Sequence, residues 1–187
     1  KKQRSLCCHV PKTTHRGRTV KMKRIGILSD THGFLDPRIM DYFSAVDEIW
    51  HAGDIGSLEV LDQLRIFKPT RAVYGNIDDH LIRQETQLNE RFTIENVEVL
   101  MTHIAGRPGN YSKPAFEELT KNGAPALFVC GHSHITLVQM DKRFNMLWIN
   151  PGACGIKGFH SLRTLIRLSI TGDRFHDLEV IELGKRA

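Results

Sequence analysis

The sequence contains no apolar stretch close to the roughly 20 residues that a helix needs to cross a bilayer, so we expect no contact with a membrane. Its first residues also lack the apolar run of a secretory signal, and we therefore expect a cytoplasmic protein. The 187 residues contain only four cysteines, whose spacing matches neither a disulfide framework nor a compact zinc module. Because 41% of the residues are hydrophobic, the chain has enough apolar material for one folded domain with its own core.

Acidic residues are absent from the first 21 positions, although this segment holds seven Lys and Arg residues. Without those seven, 19 basic residues face 21 acidic ones, so the net charge falls from +5 for the whole chain to −2 for residues 22–187. Since lone basic segments are usually disordered, we predict a disordered N-terminal extension over residues 1–21 and a folded domain over residues 22–187, with Met22 as a candidate start. A functional basic arm is the alternative. Because the domain itself is slightly acidic, we do not expect nucleic-acid binding.

The first half of the folded segment alternates between buried strands, polar turns and helices. Strands are predicted over "RIGILS", "DEIWHAG" and "TRAVYG", and helices over "DPRIMDYFSAV" and "SLEVLDQLRIF". The first helix should have Asp36 as its N-cap and Pro37 as its first residue, and the second should have Ser57 as its cap. This rhythm is typical of βαβ units and a largely parallel sheet.

The second half of the chain is richer in strands. Asn96 separates two strand-like runs in "RFTIENVEVLMTHIAG", which indicates a hairpin, and "KPAFEELTKNG" predicts a helix. Five further strands with short turns are predicted over "PALFVCGHSH", "ITLVQM", "NMLWINPGA", "RTLIRLSITG" and "RFHDLEVIEL". A mixed sheet, or two stacked sheets with helices outside, fits this pattern better than a simple doubly wound sheet.

Polar side chains follow five of these strands at the point where each strand ends. They are Asp30, His32, Asp54, Asn76, His103, His132 and His134. Because ligands bind at the carboxyl ends of strands in open α/β sheets, we expect these seven residues at one edge, although each alone is more often a hydrogen-bonded turn residue. Mixed carboxylate, amide and imidazole donors suit Mn, Fe, Zn or Ni better than Ca. Seven donors also suit two metals that share a bridging carboxylate.

Five short motifs in this order resemble the calcineurin-like metallophosphoesterase superfamily. They are "DTH" at 30–32, "GDI" at 53–55, "GNID" at 75–78, "THIAG" at 102–106 and "GHSH" at 131–134. The compact size and the "INPGA" run at 149–153 resemble its small YfcE-like phosphodiesterase branch. The resemblance implies a four-layer α/β/β/α sandwich of two mixed β-sheets flanked by helices. It also implies a hydrolase of phosphate esters, specifically a phosphodiesterase, with two divalent metal ions per chain. Mn is the expected metal, and Zn, Fe or Ni are alternatives.

The resemblance also assigns a role to each candidate residue. It places Asp30, His32 and His134 on the first metal, and Asn76, His103 and His132 on the second. Asp54 would bridge the two metals, and a hydroxide held between them would be the nucleophile. The implied catalytic residues are therefore Asp54, Asn76 and His103. We assign Asp78 to orienting the Asn76 turn through hydrogen bonds of its carboxylate.

Ile77 departs from the phosphoprotein phosphatases, which have a histidine in this position that helps the leaving group. An isoleucine donates no proton, so this help falls to the metals, to solvent, or to a neighbour such as His80 or Asp78. Two loops are candidates for setting substrate specificity: residues 105–112, with Arg107, Asn110 and Tyr111, and residues 155–163, with Lys157, His160 and Arg163. Contact with a phosphate or a nucleobase is one interpretation of these side chains, but most of them are expected to be solvent-facing loop residues.

The alternative function is an inert protein-binding scaffold, which is how the retromer subunit with this fold is generally regarded. The present sequence keeps all seven donors, which favours the enzyme. The oligomeric state is left open, and a homo-oligomer is compatible with the sequence.

Overall fold

Two five-stranded β-sheets form the centre of the computed structural model, which describes residues 21–186. In spatial order, the first sheet contains β12 (Arg174–Lys185), β11 (Leu162–Thr171), β1 (Lys23–Leu28), β2 (Glu48–His51) and β3 (Thr70–Ala72). The second contains β4 (Asn89–Ile94), β5 (Val97–Thr102), β8 (Leu127–Val129), β10 (Met146–Asn150) and β9 (Leu137–Asp141). The strands β6 (Gly106–Arg107) and β7 (Asn110–Tyr111) form a small separate hairpin.

Both large sheets are mixed, as the sequence predicted. In the first sheet, β1, β2 and β3 are parallel to one another, whereas β11 and β12 are antiparallel to their neighbours. In the second sheet, β5, β8 and β10 are parallel, and β4 and β9 are antiparallel edge strands. The parallel strands of the two sheets carry the polar turns that form the candidate site.

Helices cover the outer faces of the two sheets. They are α1 (Arg38–Tyr42), α2 (Leu58–Phe67), α3 (His80–Glu85) and α4 (Lys113–Lys121). Ile39, Leu61 and Ile82 pack from α1, α2 and α3 into the core on the first sheet, and Leu119 packs from α4 into the core on the second sheet. A third core, which includes Ile27, lies between the sheets. The four-layer α/β/β/α sandwich is thus confirmed.

The first helix is shorter than the sequence predicted. It begins at Arg38 with Pro37 at the N-cap, so the prediction of Asp36 as N-cap was wrong by one residue. After Tyr42 the chain forms turns instead of a further helical turn, and the Val46 amide donates to the carbonyl of Phe43, three residues earlier. Phe43 and Val46 are nevertheless buried, because these turns keep both side chains on the sheet.

Helix α3 was not predicted from the sequence. Asp79 caps it, since its Oδ1 accepts hydrogen bonds from the Leu81 and Ile82 amides at 3.0 and 3.1 Å. Residues 1–20, nearly all of the predicted extension, lie outside the described residues. Within residues 21–186, no helix has the length and apolar character needed to span a membrane.

Candidate metal centre

The turns that follow β1, β2, β5 and β8 meet at the carboxyl ends of the strands. The Asp30 amide donates to the Gly53 carbonyl at 3.0 Å, which ties the turn after β1 to the turn after β2. The Gly131 amide donates to the His103 carbonyl at 3.1 Å, which ties the turn after β8 to the turn after β5. The two pairs are joined across the sheets because the His132 amide donates to Asp30 Oδ2 at 3.2 Å. All these turns therefore form one connected site.

Five of the seven predicted ligands have a left-handed backbone. The φ angles are 56° at Asp30, 50° at His32, 54° at Asp54, 68° at His132 and 58° at His134. This region is uncommon for residues other than glycine, and it persists only where surrounding contacts enforce it. The cross-turn hydrogen bonds supply that enforcement here. A concentration of such residues in one place is typical of functional sites.

The first group of converging donor atoms comprises Asp30, His32 and His134, whose ligand atoms all lie within 4.8 Å of one another. His134 Nε2 lies 3.1 Å from Asp30 Oδ1 and 3.2 Å from His32 Nε2. Asp30 is fully buried. A buried carboxylate with two imidazole nitrogens directed at the same point is a suitable ligand set for a divalent transition metal.

The second group comprises Asp54, His103 and His132, again with ligand atoms within 4.8 Å of one another. His103 Nε2 lies 3.2 Å from Asp54 Oδ1, and His103 Nδ1 donates to the Ala52 carbonyl at 2.8 Å. The hydrogen bond to the Ala52 carbonyl fixes the Nδ1–H tautomer of the neutral His103 ring. The lone pair of His103 Nε2 therefore faces the other donors of the second group. Burial would lower the pKa of His103, but the carboxylates of Asp54 and Asp30 raise it above its ordinary value. A proton and a metal ion would therefore compete for the same position.

Two buried atoms of the site support metal binding directly. Within residues 21–186, Asp30 Oδ1 and His103 Nε2 are buried without a hydrogen-bond partner. Buried polar atoms are almost always satisfied, and an unsatisfied pair in adjacent donor groups is expected where an ion binds. The residues present therefore fit the divalent metals that the resemblance implies.

Asp54 belongs to the second group and also faces the first. Its Oδ1 faces His103 in the second group, and its Oδ2 lies 3.8 Å from His32 Nε2 in the first group. Burial would raise the pKa of Asp54, but His103 and the Ile77 amide lower it below its ordinary value, so the carboxylate is ionised at neutral pH. The Asp54 carboxylate thus presents one oxygen to each group.

The Asn76 turn packs against Asp54. The Ile77 amide donates to Asp54 Oδ1 at 3.1 Å. At Gly75, an added Cβ would lie 2.0 Å from Asp54 Oδ1 and 2.5 Å from the Asp54 amide nitrogen, so only glycine permits this approach. Asn76 itself is exposed. The structure thus places the turn that carries Asn76 beside Asp54.

Asp78 is buried beneath this turn. Its Oδ2 accepts hydrogen bonds from the Gly75 and Ile55 amides at 2.7 and 3.2 Å, and its Oδ1 accepts one from the Gly56 amide at 2.7 Å. These bonds connect the turn after β3 with the turn after β2, which carries Asp54. His80, considered above for leaving-group assistance, is the exposed first residue of α3.

Sequence reasoning missed two buried side chains that hold the site turns. His51 Nδ1 accepts a hydrogen bond from the Gly53 amide at 3.2 Å, and His51 Nε2 donates one to Thr31 Oγ1 at 2.9 Å. Burial lowers the pKa of His51 to about 4. Asn150 donates from Nδ2 to the Gly131 carbonyl at 2.7 Å and to Ser133 Oγ at 3.1 Å, which holds the "GHSH" turn. The signal in the sequence was a polar residue at the carboxyl end of each strand, His51 in "EIWH" and Asn150 in "MLWIN".

The interpretation of His160 and Arg163 as solvent-facing residues was wrong. Both residues are about 8% exposed: His160 lies in the loop before β11, and Arg163 lies in β11 itself. Arg163 Nη1 donates to Asp36 Oδ2 at 2.8 Å, and His160 contacts His134. Loop position alone suggested exposure, but tertiary contacts bury these two residues.

Fold and site together define a two-sheet α/β protein with a candidate metal centre at the carboxyl ends of its parallel strands. The family model of the calcineurin-like phosphoesterase superfamily domain matches residues 22–173, and the chain belongs to this superfamily. The family resemblance predicted from the five motifs is therefore confirmed. Membership implies divalent metal ions and a phosphate-ester substrate.

Known proteins with similar sequences and structures agree with this assignment. A probable metallophosphoesterase of Methanothermobacter thermautotrophicus is 29% identical over 165 residues, which cover 86% of this chain and 92% of that protein. A structure described as a novel archaeal phosphodiesterase has a TM-score of 0.67 and 26% identity, covering 86% of this chain and 99% of that one. Vps29 of Entamoeba histolytica, solved in complex with Zn²⁺, has a TM-score of 0.64 and 14% identity, covering 88% of this chain and 99% of that one. At this low identity, the likeness to Vps29 shows the fold alone.

Proposed function

We propose that the protein is a phosphodiesterase that uses two divalent metal ions, with Mn as the expected metal. The observation that carries this proposal is the position of Asp54, whose two carboxylate oxygens face different donor groups at 3.2 and 3.8 Å. A carboxylate that is shared in this way is the expected bridge of a dinuclear site. Asp30, His32 and His134 would hold one ion, and His103, His132 and Asn76 the other.

Two bound metal ions would activate a water molecule for in-line attack at phosphorus and neutralise the charge that develops on the phosphoryl oxygens. The protein itself fixes the donors: the Ala52 carbonyl orients His103, and the Asp78 carboxylate holds the two turns that carry Asp54 and Asn76. Such fixed donors avoid the cost of reorganisation during the reaction.

Ile77 influences which esters would react. Its side chain is 47% exposed at the rim beside Asp54, and it has no group that protonates a leaving oxygen. Protonation of the leaving group would therefore depend on solvent or on a neighbour such as His80. We accordingly expect faster turnover of phosphodiesters with a good leaving group, such as an aryl alcohol, than of alkyl esters.

The test compares Asp54→Asn with the exposed control Asp62→Asn. After incubation with Mn²⁺ and removal of free metal, we expect two ions per chain for the wild type and the control, and fewer for Asp54→Asn, measured by elemental analysis. Hydrolysis of an activated aryl phosphodiester should fall at least about 100-fold in Asp54→Asn, because the shared ligand loses its charge. Equal activity in Asp54→Asn and wild type would contradict the proposed bridge.

A protein-binding scaffold is the second candidate function. The observation that favours it is a set of exposed isoleucines, Ile77, Ile104 and Ile135, each of which directly follows a proposed ligand. Apolar groups around a polar site suit a protein partner, and Vps29 shares this fold. Measured hydrolysis distinguishes the phosphodiesterase from the scaffold. A protein that binds stoichiometric metal but turns over no phosphate ester would favour the scaffold.

A further inference from the structure

His160 lies beneath the first donor group, in the loop that follows β10. Its Nδ1 lies 3.1 Å from His134 Nδ1, and its Nε2 lies 3.2 Å from the Gly155 carbonyl oxygen. The His134 and His160 rings are edge to face, with centroids 5.0 Å apart. His160 is therefore in direct contact with a proposed metal ligand, on the side of the ring that faces away from the donor group.

These contacts determine the position of each proton. A carbonyl oxygen only accepts, so His160 Nε2 carries the hydrogen of the bond to Gly155. In a neutral ring, His160 Nδ1 is then the acceptor, and the bond between the two rings requires that His134 Nδ1 carries a hydrogen. His134 Nε2 consequently keeps its lone pair, and this atom is the one that lies 3.1 Å from Asp30 Oδ1.

The loop is shaped so that His160 reaches this position. At Gly158, where φ is +122°, an added Cβ would lie 2.1 Å from His134 Nδ1, so only glycine lets the loop pass beside the ring. The Gly155 amide donates to the Asp30 carbonyl at 3.1 Å. The loop is thus fixed to the backbone of the same donor group that His160 supports.

We propose that His160 is a positioning residue that fixes the tautomer and ring orientation of His134 and thereby raises the metal affinity of the first donor group. The role of His160 rests on the metal centre proposed above. His103 in the second group receives the same support from the Ala52 carbonyl, at 2.8 Å. A change at His160 should therefore affect one metal position and leave the other unchanged.

Two substitutions separate the two hydrogen bonds of His160. His160→Asn keeps an acceptor close to the position of Nδ1 and loses the donor to Gly155. His160→Gln keeps a donor close to the position of Nε2 and loses the acceptor for His134. Each variant loses one hydrogen bond, so a purely structural role would affect both to a similar extent.

Co²⁺ titration, followed by calorimetry and visible absorption, tests the effect on affinity. For His160→Gln we expect the affinity for one of the two Co²⁺ ions to fall about 10- to 100-fold, because residues that hydrogen-bond to metal-bound histidines have effects of this size. For His160→Asn we expect less than about a 3-fold change. Equal affinities in His160→Gln and wild type, or an equal loss in both variants, would overturn the proposal.

Side-chain ¹⁵N chemical shifts of His134 in the metal-free protein give an independent reading. We expect the Nδ1–H tautomer in the wild type and in His160→Asn, and a shift towards the Nε2–H tautomer in His160→Gln. An unchanged tautomer in His160→Gln would overturn the proposal while leaving the metal centre standing. Wild-type protein that binds no Co²⁺ would instead overturn the metal centre, and this proposal with it.

Discussion

Asp78 shows how a single carboxylate organises the proposed site without belonging to either donor group. It is only 3% exposed, and it accepts hydrogen bonds from three backbone amides in two different turns. Charged acceptors make stronger hydrogen bonds than neutral ones, so this carboxylate holds the turns together more firmly than an amide would. The geometry around Asp54 therefore depends on Asp78.

We expect Asp78→Asn to destabilise the metal-free protein by about 2–3 kcal/mol, because one oxygen that accepts amide hydrogens becomes a donor. Urea unfolding at pH 7 measures the change. The neighbouring variant Asp79→Asn is the control, since asparagine caps a helix about as well as aspartate does. Equal stability of the two variants would contradict the assigned role of Asp78.

The candidate ligands were predictable at the residue scale because each one lies in the turn that follows a strand. Sequence periodicity locates strand ends, and the residues after parallel strands converge at one edge. The supporting residues were not predictable in the same way. His160 depends on its contact with His134, 26 residues away in the chain, and no local pattern encodes that distance.

Asp36 connects three secondary-structure elements. Its carboxylate accepts from Arg38 Nε at 3.0 Å and from Arg163 Nη1 at 2.8 Å, and both guanidinium groups also donate to the Leu183 carbonyl. This joins the start of α1 to β11 and β12. Arg38 and Arg163 hold the pKa of Asp36 well below its usual range. Asp36 therefore contributes stability in its ionised form.

We expect Asp36→Asn to destabilise the protein by about 3 kcal/mol at pH 7, because Arg163 would remain buried without its anionic partner. The Asp36 carboxylate binds a proton less readily in the folded state than in the unfolded state. The stabilisation by ionised Asp36 is therefore present above about pH 4 and is lost as the pH falls towards its lowered pKa. Urea unfolding at pH 7 and pH 3 should show the difference between wild type and variant becoming smaller at pH 3. The exposed variant Asp62→Asn should show no such dependence, and a constant difference for Asp36→Asn would contradict this account.

Secondary-structure elements were predictable where their patterns are long. Helix α2 has the predicted Ser57 cap, and its buried residues Val60, Leu61 and Leu64 lie at helical spacing. The short elements were less accurate, because the five-residue α1 and the six-residue α3 contain too few turns to establish a period. Their ends are set by capping and by turns that pack on the sheet.

The core between the two sheets holds the whole molecule together. Ile27 in β1 is fully buried there, among apolar side chains from strands of both sheets. Interiors of this kind are close-packed, so the removal of methyl groups leaves a cavity that the surroundings fill only in part. This core also sets the distance between the turns of the two sheets that meet in the site.

We expect Ile27→Ala to destabilise the protein by about 3–4 kcal/mol, measured by urea or thermal unfolding. Ile66→Ala is the control, since Ile66 in α2 is 86% exposed and its truncation should cost less than about 0.5 kcal/mol. Comparable losses in both variants would mean that the layer between the sheets is not the main core.

The sequence by itself determined the alternation of strands and helices, the positions of the candidate ligand residues and the family, because these depend on local periodicity, turn chemistry and ordered motifs. Tertiary structure alone decided that β11 and β12 join the first sheet and that Asp54 lies between two donor groups. It also decided that His160 contacts His134. The physical reason is that strand pairing and side-chain burial depend on contacts between distant residues: the His132 amide bonds Asp30 from 102 residues away, and no local pattern specifies such a contact.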